Sequence, residues 1–340
     1  MEKPVSTGRA ALILMIGVVA LAFSAIMVKE SNFDPGVSSF LRTSIAVVVL
    51  LPFAWSEIKK KGWMNKKGAW IAFGAGLFLG VDFIAWNYST YLVGAGISSV
   101  LLNLQIIILP LLALIIDKYA VEKRFWVLVP IMIIGIILTG GVLEEAAPNA
   151  VSHVYGVPIA LLGTIFGSTS GVCYGAYLYT SRKSGTINPG RYVQPLVLVC
   201  TAQALVAVIF MFFSERGFDL THGILNADGS LPPKPITDFG APIGGYEWFI
   251  MIVLAVTAQA MAWTFVQYGS VHMDPTMTAG LLLLSPVSTV FIAAGLLDEI
   301  PSFLQVMGVV VVLGAVAVQN DLHRAVLNKL GGSKSRTPEG

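Results

Sequence analysis

"AWIAFGAGLFLGVDFIAWNYSTYL", residues 69–92, carries one charge, Asp82, in an otherwise apolar run. At 1.5 Å per residue a helix of this length crosses the roughly 30 Å hydrocarbon core of a bilayer. The run lacks the strict alternation of a barrel strand, so it reads as a membrane helix. A carboxylate at its middle costs about 2.5–3.5 kcal/mol on insertion scales, so its position needs an explanation.

Reading outward in both directions finds the same pattern repeated. Apolar runs fall at 10–28, 37–55, 69–92, 97–116, 125–142, 157–180, 193–213, 248–268, 276–297 and 302–319, the last being short. Of the 340 residues 56% are hydrophobic and 12% charged, with mean hydropathy +0.79. Soluble domains carry roughly 25% charged residues, so an ordinary globular protein is excluded. The sequence predicts an all-α polytopic membrane protein of ten transmembrane helices. The first run shows no clear small-x-small cleavage site and reads as a retained helix. The largest polar stretch, 214–247, contains "NADGSLPPKPITDFGAPIGG" and reads as a long surface loop.

Charge sets the orientation. With a cytoplasmic N-terminus and ten helices, 21 Lys and Arg residues distribute to the inner segments, except Lys29, Arg42, Arg216 and Lys234. The positive-inside rule therefore places both termini in the cytoplasm of a cell (inner) membrane protein. Residues 321–340 form a basic cytoplasmic tail.

The chain also looks duplicated. "AGISSVLLNLQIIILPLLALIIDKYAVEKRFWVLVPIMIIGIILTGG" (95–141) parallels "DPTMTAGLLLLSPVSTVFIAAGLLDEIPSFLQVMGVVVVLGAVAVQ" (274–319). Each has a helix with an internal proline (Pro110, Pro286), an acidic turn, then a helix punctuated by glycine (Gly135, Gly314). Two copies of five helices have opposite orientations, because five is odd. Inverted repeats with a site at the bilayer midplane are a recurring transporter plan. The expected domains are 10–143 and 156–320.

These residues resemble a known family. "LLLLSPVSTVFIAAGLLDEIPSFLQVMGVVVVLGAVAV" is similar to the closing pattern of the EamA repeat, with Pro286, Glu299, Gly308 and Gly314 as supporting residues. "DPGVSSFLRTSIAVVVLLPFA" resembles the family's second helix, with Arg42 at its arginine position, and Lys29 resembles a basic residue at the end of helix 1. The resemblance is to the drug/metabolite transporter superfamily and spans roughly 10–320. It implies export of small metabolites, amino acids or amphipathic compounds, driven by a proton gradient or by exchange. The first repeat departs from the family's compact turn at "IIDKYAVEK" (115–123), which leaves either Asp117 or Glu122 as the counterpart of Glu299.

The candidate substrate residues are Asp82, Trp86, Asn103, Gln105, Tyr174, Gln259, Trp263, Gln267, Ser285 and Arg42. Three readings compete for Asp82: protonated and inert, paired with Arg42, or lining the path and carrying the coupling proton. Trp86 lies one turn on, where an aromatic ring beside a carboxylate suits an amine. Gln259, Trp263 and Gln267 recur every four residues and form a polar, aromatic stripe; the competing reading is interhelical hydrogen bonding. Asn103 and Gln105 are two apart and cannot face one direction. Arg42 either snorkels or pairs structurally, or it meets a ligand carboxylate. Asp82 with Arg42 would then suit a zwitterion. Ser170 and Tyr174 could also reach the centre. Gly163, Gly167, Gly171 and Gly175 form a smooth ridge for close packing. Pro110 and Pro286 are expected kinks.

Other functions find little support. The four histidines (His153, His222, His272, His323) fall in expected loops or the tail, and no phosphate-binding G-x-x-x-x-G-K-[ST] loop is present. No enzyme, metal, cofactor, nucleic acid or ATPase subunit is implied. Cys173 and Cys200 read as buried apolar side chains. The expected partners are a small-molecule substrate, the lipid bilayer and protons, in a monomer or homodimer. The alternatives are a facilitator (uniporter) and a lipid-linked metabolite flippase of the same fold.

Overall fold

The computed structural model describes residues 7–118, 121, 123–143, 153–154, 156–272 and 281–319, with backbone alone at Thr7, Gln267, Ser270, Val271 and His272. Glu122, Glu144, Glu145, His323 and the 321–340 tail lie outside the described residues.

The described chain is mostly helical. The elements are α1 (Thr7–Ser31), α2 (Pro35–Lys61), α3 (Lys66–Val93), α4 (Ala95–Leu101), α5 (Gln105–Asp117), α6 (Lys123–Thr139), α7 (Ile159–Ile187) and α8 (Val193–Phe213). They continue with α9 (Gly245–Leu254), α10 (Ala262–His272), α11 (Leu284–Leu296) and α12 (Phe303–Gln319). A 3-10 turn, Leu102–Leu104, joins α4 to α5, and a π-helical segment, Ala255–Met261, joins α9 to α10. A two-residue hairpin, His153–Val154 with Val157–Pro158, precedes α7.

Among the described residues, 7 helical stretches can cross a membrane by length and composition: Gly8–Ser31, Pro35–Lys61, Lys66–Val93, Ala95–Asp117, Ile159–Ile187, Val193–Phe213 and Gly245–Val266. α11 and α12 are shorter apolar helices. Leu12, Val48, Phe53, Trp126, Phe212, Phe291 and Val310 face outward. So much exposed apolar surface would aggregate in water and fits a lipid-facing shell.

Local chemistry sets the helix ends. Asp34 caps α2 by accepting from the Gly36 N–H at 2.9 Å, and Pro35 opens the helix where its missing N–H costs nothing. Asn65 caps α3 by accepting from the Lys67 N–H. At Gly62 and Gly94 the backbone takes φ of +72° and +94°, which glycine adopts without strain. α5 runs on through Pro110. Before Pro286 a turn at Leu283 interrupts the helix, one residue beyond the carbonyl that proline leaves unpaired. His272 ends α10 and does not lie in a loop.

The expected glycine ridge on α7 is a packing seam. A Cβ on Gly163, Gly167, Gly171 or Gly175 would press into Val93, Leu101, Leu104 and Ile108 respectively, so α3, α4 and α5 approach closely there. α6 and α12 pack in the same way. A Cβ on Gly308 would lie 2.3 Å from the Thr139 backbone nitrogen, and one on Gly135 would lie 2.8 Å from Val312.

The 214–247 stretch is ordered. Asn32 (φ +52°) grips it, accepting from the Leu225 N–H at 2.7 Å while its amide donates to the Leu225 carbonyl at 3.2 Å. Phe33 is buried against Trp248 with ring centroids 5.0 Å apart. Arg216 is buried, donates to the Gly223 and Asp238 carbonyls, and stands 2.9 Å from Asp34. The two charges touch without hydrogen-bond alignment. Burial raises the Asp34 carboxyl above its ordinary range, and the Arg216 charge opposes that shift. The loop therefore covers the end of the bundle where α1 turns into α2. At the opposite, lysine-rich end, Glu57 accepts from the N–H groups of Tyr192, Val193 and Gln194 and so caps α8.

Candidate functional site

Seven helical elements bring polar or amphipathic side chains to one buried centre. Arg42 on α2 is 1% exposed and so does not snorkel; it is directed into the bundle. Its Nε donates to Gln259 Oε1 at 3.0 Å and its Nη2 to Ser24 Oγ at 3.1 Å. The guanidinium lies over the Phe83 ring, 4.3 Å from the centroid, and 5.9 Å from that of Trp86. Gln259, on the π-helical segment, donates onward to Gln203 Oε1 at 3.3 Å. π-segments widen a helix by one residue and frequently mark functional sites.

Asp82 on α3 is 2% exposed and accepts from Ser170 Oγ of α7 at 2.5 Å. It lies within the field of Arg42, yet among the described residues no direct ion pair joins the two. Tyr174, Tyr177 and Cys173 of α7 sit in the field of the same carboxylate. Tyr174, Tyr177 and Trp263 form an aromatic trio. The two tyrosines stack at 5.9 Å, and both meet Trp263 edge-on, at 5.9 and 5.8 Å.

Several donors here are buried without a partner among the described residues: Arg42 Nη1, Trp86 Nε1, Trp263 Nε1 and Gln203 Nε2. Each such orphan costs roughly 1–3 kcal/mol, and more for a charged group. A purely structural core gains nothing by keeping them. Groups that accept hydrogen bonds, such as a carboxylate, would satisfy them.

The remaining sequence candidates separate. Gln105 lies against Gly175 of α7 with its Oε1 unpartnered. Asn103, in the 3-10 turn, spends its amide on the Ser99 and Val100 carbonyls of the preceding α4. Ser285 on α11 is half-buried, and its carbonyl accepts from Thr289 Oγ1, which also donates to the Ala22 carbonyl of α1. The Gln267 side chain lies outside the described residues. Sequence reasoning did not single out Ser24, Phe83, Tyr177 or Gln203. The same signal, a polar side chain inside an apolar run, was available for Gln203.

A shallow groove of about 330 Å³ lies elsewhere, lined by Thr164, Ile165, Ser168, Thr169 and Val172. By helical spacing these residues occupy the side of α7 away from Ser170 and Tyr174. It holds no charged group and is not the centre described above.

Apolar crossing helices with charged and amide side chains turned inward define a multi-pass integral membrane protein. Residues 8–141 match the EamA-like transporter family, which belongs to the drug/metabolite transporter superfamily. A solved structure titled "Crystal structure of protein" aligns over 94% of this chain and 99% of its own, at 14% identity and a TM-score of 0.57. That likeness is one of fold. No curated protein matches.

Proposed function

We propose that the protein is a secondary-active transporter exporting small metabolites, chiefly amino acids and related aromatic or amphipathic compounds, by alternating access. In this reading it has ten spans in two inverted five-helix repeats, 10–143 and 156–320. Both termini face the cytoplasm, and exchange or a proton gradient drives the cycle.

The observation that carries the reading is the pair Arg42 and Asp82. Opposite charges are held near each other in a sealed, aromatic-lined centre, yet are not spent on one another. A zwitterion could set its carboxylate against Arg42 Nη1 and its ammonium against Asp82, with Phe83, Trp86 and Trp263 about its side chain. Elements of both proposed repeats supply the groups: α1, α2 and α3 from the first, α7, α8, the π-segment and α10 from the second. Closure of the centre favours a carrier over an open pore.

Counterflow in proteoliposomes tests this. Saturable uptake of labelled amino acid against a preloaded gradient is expected. Unsaturable flux would mark a facilitating pore, and movement of a lipid-linked analogue alone would mark a flippase. If Asp82→Asn leaves uptake driven by a pH gradient unchanged, the carboxylate does not carry the coupling proton.

A further inference from the structure

Two ion pairs join the ends of the bundle, and they are related by the proposed duplication. At the loop-covered end, Lys29 in the last turn of α1 places Nζ 2.6 Å from Glu299 Oε1 in the turn after α11. The other oxygen, Glu299 Oε2, accepts from the Ala95 N–H at 2.7 Å, at the start of α4. Any Cβ at Gly94 would lie 2.8 Å from that oxygen. At the lysine-rich end, Lys183 near the end of α7 places Nζ 2.7 Å from Asp117 Oδ1, at the end of α5. Tyr179 donates to the second oxygen, Asp117 Oδ2, at 2.7 Å.

The correspondence is specific. α1 and α7 each open a repeat, and each carries a lysine in its final turns. Asp117 ends the helix that holds Pro110, and Glu299 lies in the turn after the helix that holds Pro286. The lysine of each repeat binds the acid of the other, at opposite ends of the bundle. In this reading Asp117 takes in the first repeat the place that Glu299 takes in the second.

We propose that Lys29–Glu299 and Lys183–Asp117 are the outer and inner latches of the transport cycle, of which one must part before either side opens. Both are closed here, around a centre that is also closed. The assignment rests on the alternating-access reading. It adds which contacts must break, and predicts that the two act separately.

Double electron–electron resonance in nanodiscs tests it. The full chain would carry Cys173→Ser and Cys200→Ala, with spin labels at Glu30→Cys and Ile300→Cys for the outer end, or at Ile116→Cys and Thr186→Cys for the inner end. Lys29→Met should raise the ratio of long to short outer distances about fivefold and leave the inner pair unmoved. Lys183→Met should do the reverse by a smaller factor. Lys29→Arg, which keeps the pair, should retain the short distribution and shows that the position tolerates change. Unmoved distances in both methionine variants, or both ends moving together in either, would overturn the latches. Distances that respond as described in a protein without measurable counterflow would uphold the latches and end the transporter reading.

Discussion

The polar centre and the seam between α6 and α12 are both buried, and they are built in opposite ways. The seam is aliphatic and dense. Gly135 and Gly308 let the two backbones approach, and Met132, Ile136, Val309 and Val312 fill what remains. Among the described residues the seam's one orphaned side-chain acceptor, Gln319 Oε1, lies at the end of α12. The centre holds an arginine, an aspartate, two glutamines and two tryptophans, with four hydrogen-bond donors left over. Packing accounts for the seam. It does not account for the centre, where replacement by apolar residues would relieve desolvation costs. Burial alone therefore does not separate a core from a site. The discriminating feature is polar capacity the fold leaves unused.

Substitutions should divide along that line. The largest effect is expected for Arg42→Met, which removes the charged donors from the centre. Counterflow should fall by about 10- to 100-fold, the loss expected for hydrogen bonds to a charged group, and Arg42→Lys should recover only part because a lysine lacks the planar fork. Gly308→Val should do the opposite. Its Cβ meets the Thr139 backbone, so stability should drop by about 1–3 kcal/mol, read as a lower melting temperature in detergent, with unchanged apparent affinity in the surviving protein. Trp263→Phe keeps a ring in the aromatic trio and deletes the unpartnered Nε1. It should raise KM by up to about tenfold without moving the melting temperature. The smallest change is expected for Lys183→Met. Its ion pair is 43% and 30% exposed, against 22% and 16% at Lys29–Glu299, so solvent screens it more and transport should change about twofold or less.

The helical membrane fold was legible because an apolar run of bilayer length leaves few alternatives. So was the candidacy of Asp82, Gln259 and Trp263, each a polar or amphipathic group in such a run; the fold buries all three. What a sequence run lacks is rotation and neighbours. Arg42 sits near the start of its helix, where a snorkelling side chain is plausible. Only the approach of α1 and the π-segment shows that it turns inward to Ser24 and Gln259. Asn103 resembled a lining residue, but the 3-10 turn directs its amide back to the carbonyls of α4. The order of 214–247 depends on Asn32 and Asp34, nearly two hundred residues away. A loop composition rich in Gly and Pro does not encode contacts of that range. Lys29 and Glu299 were visible as a family resemblance; their pairing and its mirror at Lys183–Asp117 required the fold.

The most direct test of the centre as the substrate site is inhibition of counterflow by phenylalanine, its methyl ester and its N-acetyl derivative, compared across three proteins. The unaltered protein should prefer the free zwitterion. Arg42→Met should lose the preference for acid over ester while keeping the preference for free over acetylated amine, and Asp82→Asn should show the reverse. If both variants discriminate among the three compounds as the unaltered protein does, Arg42 and Asp82 do not hold the substrate, and the account of the centre is wrong.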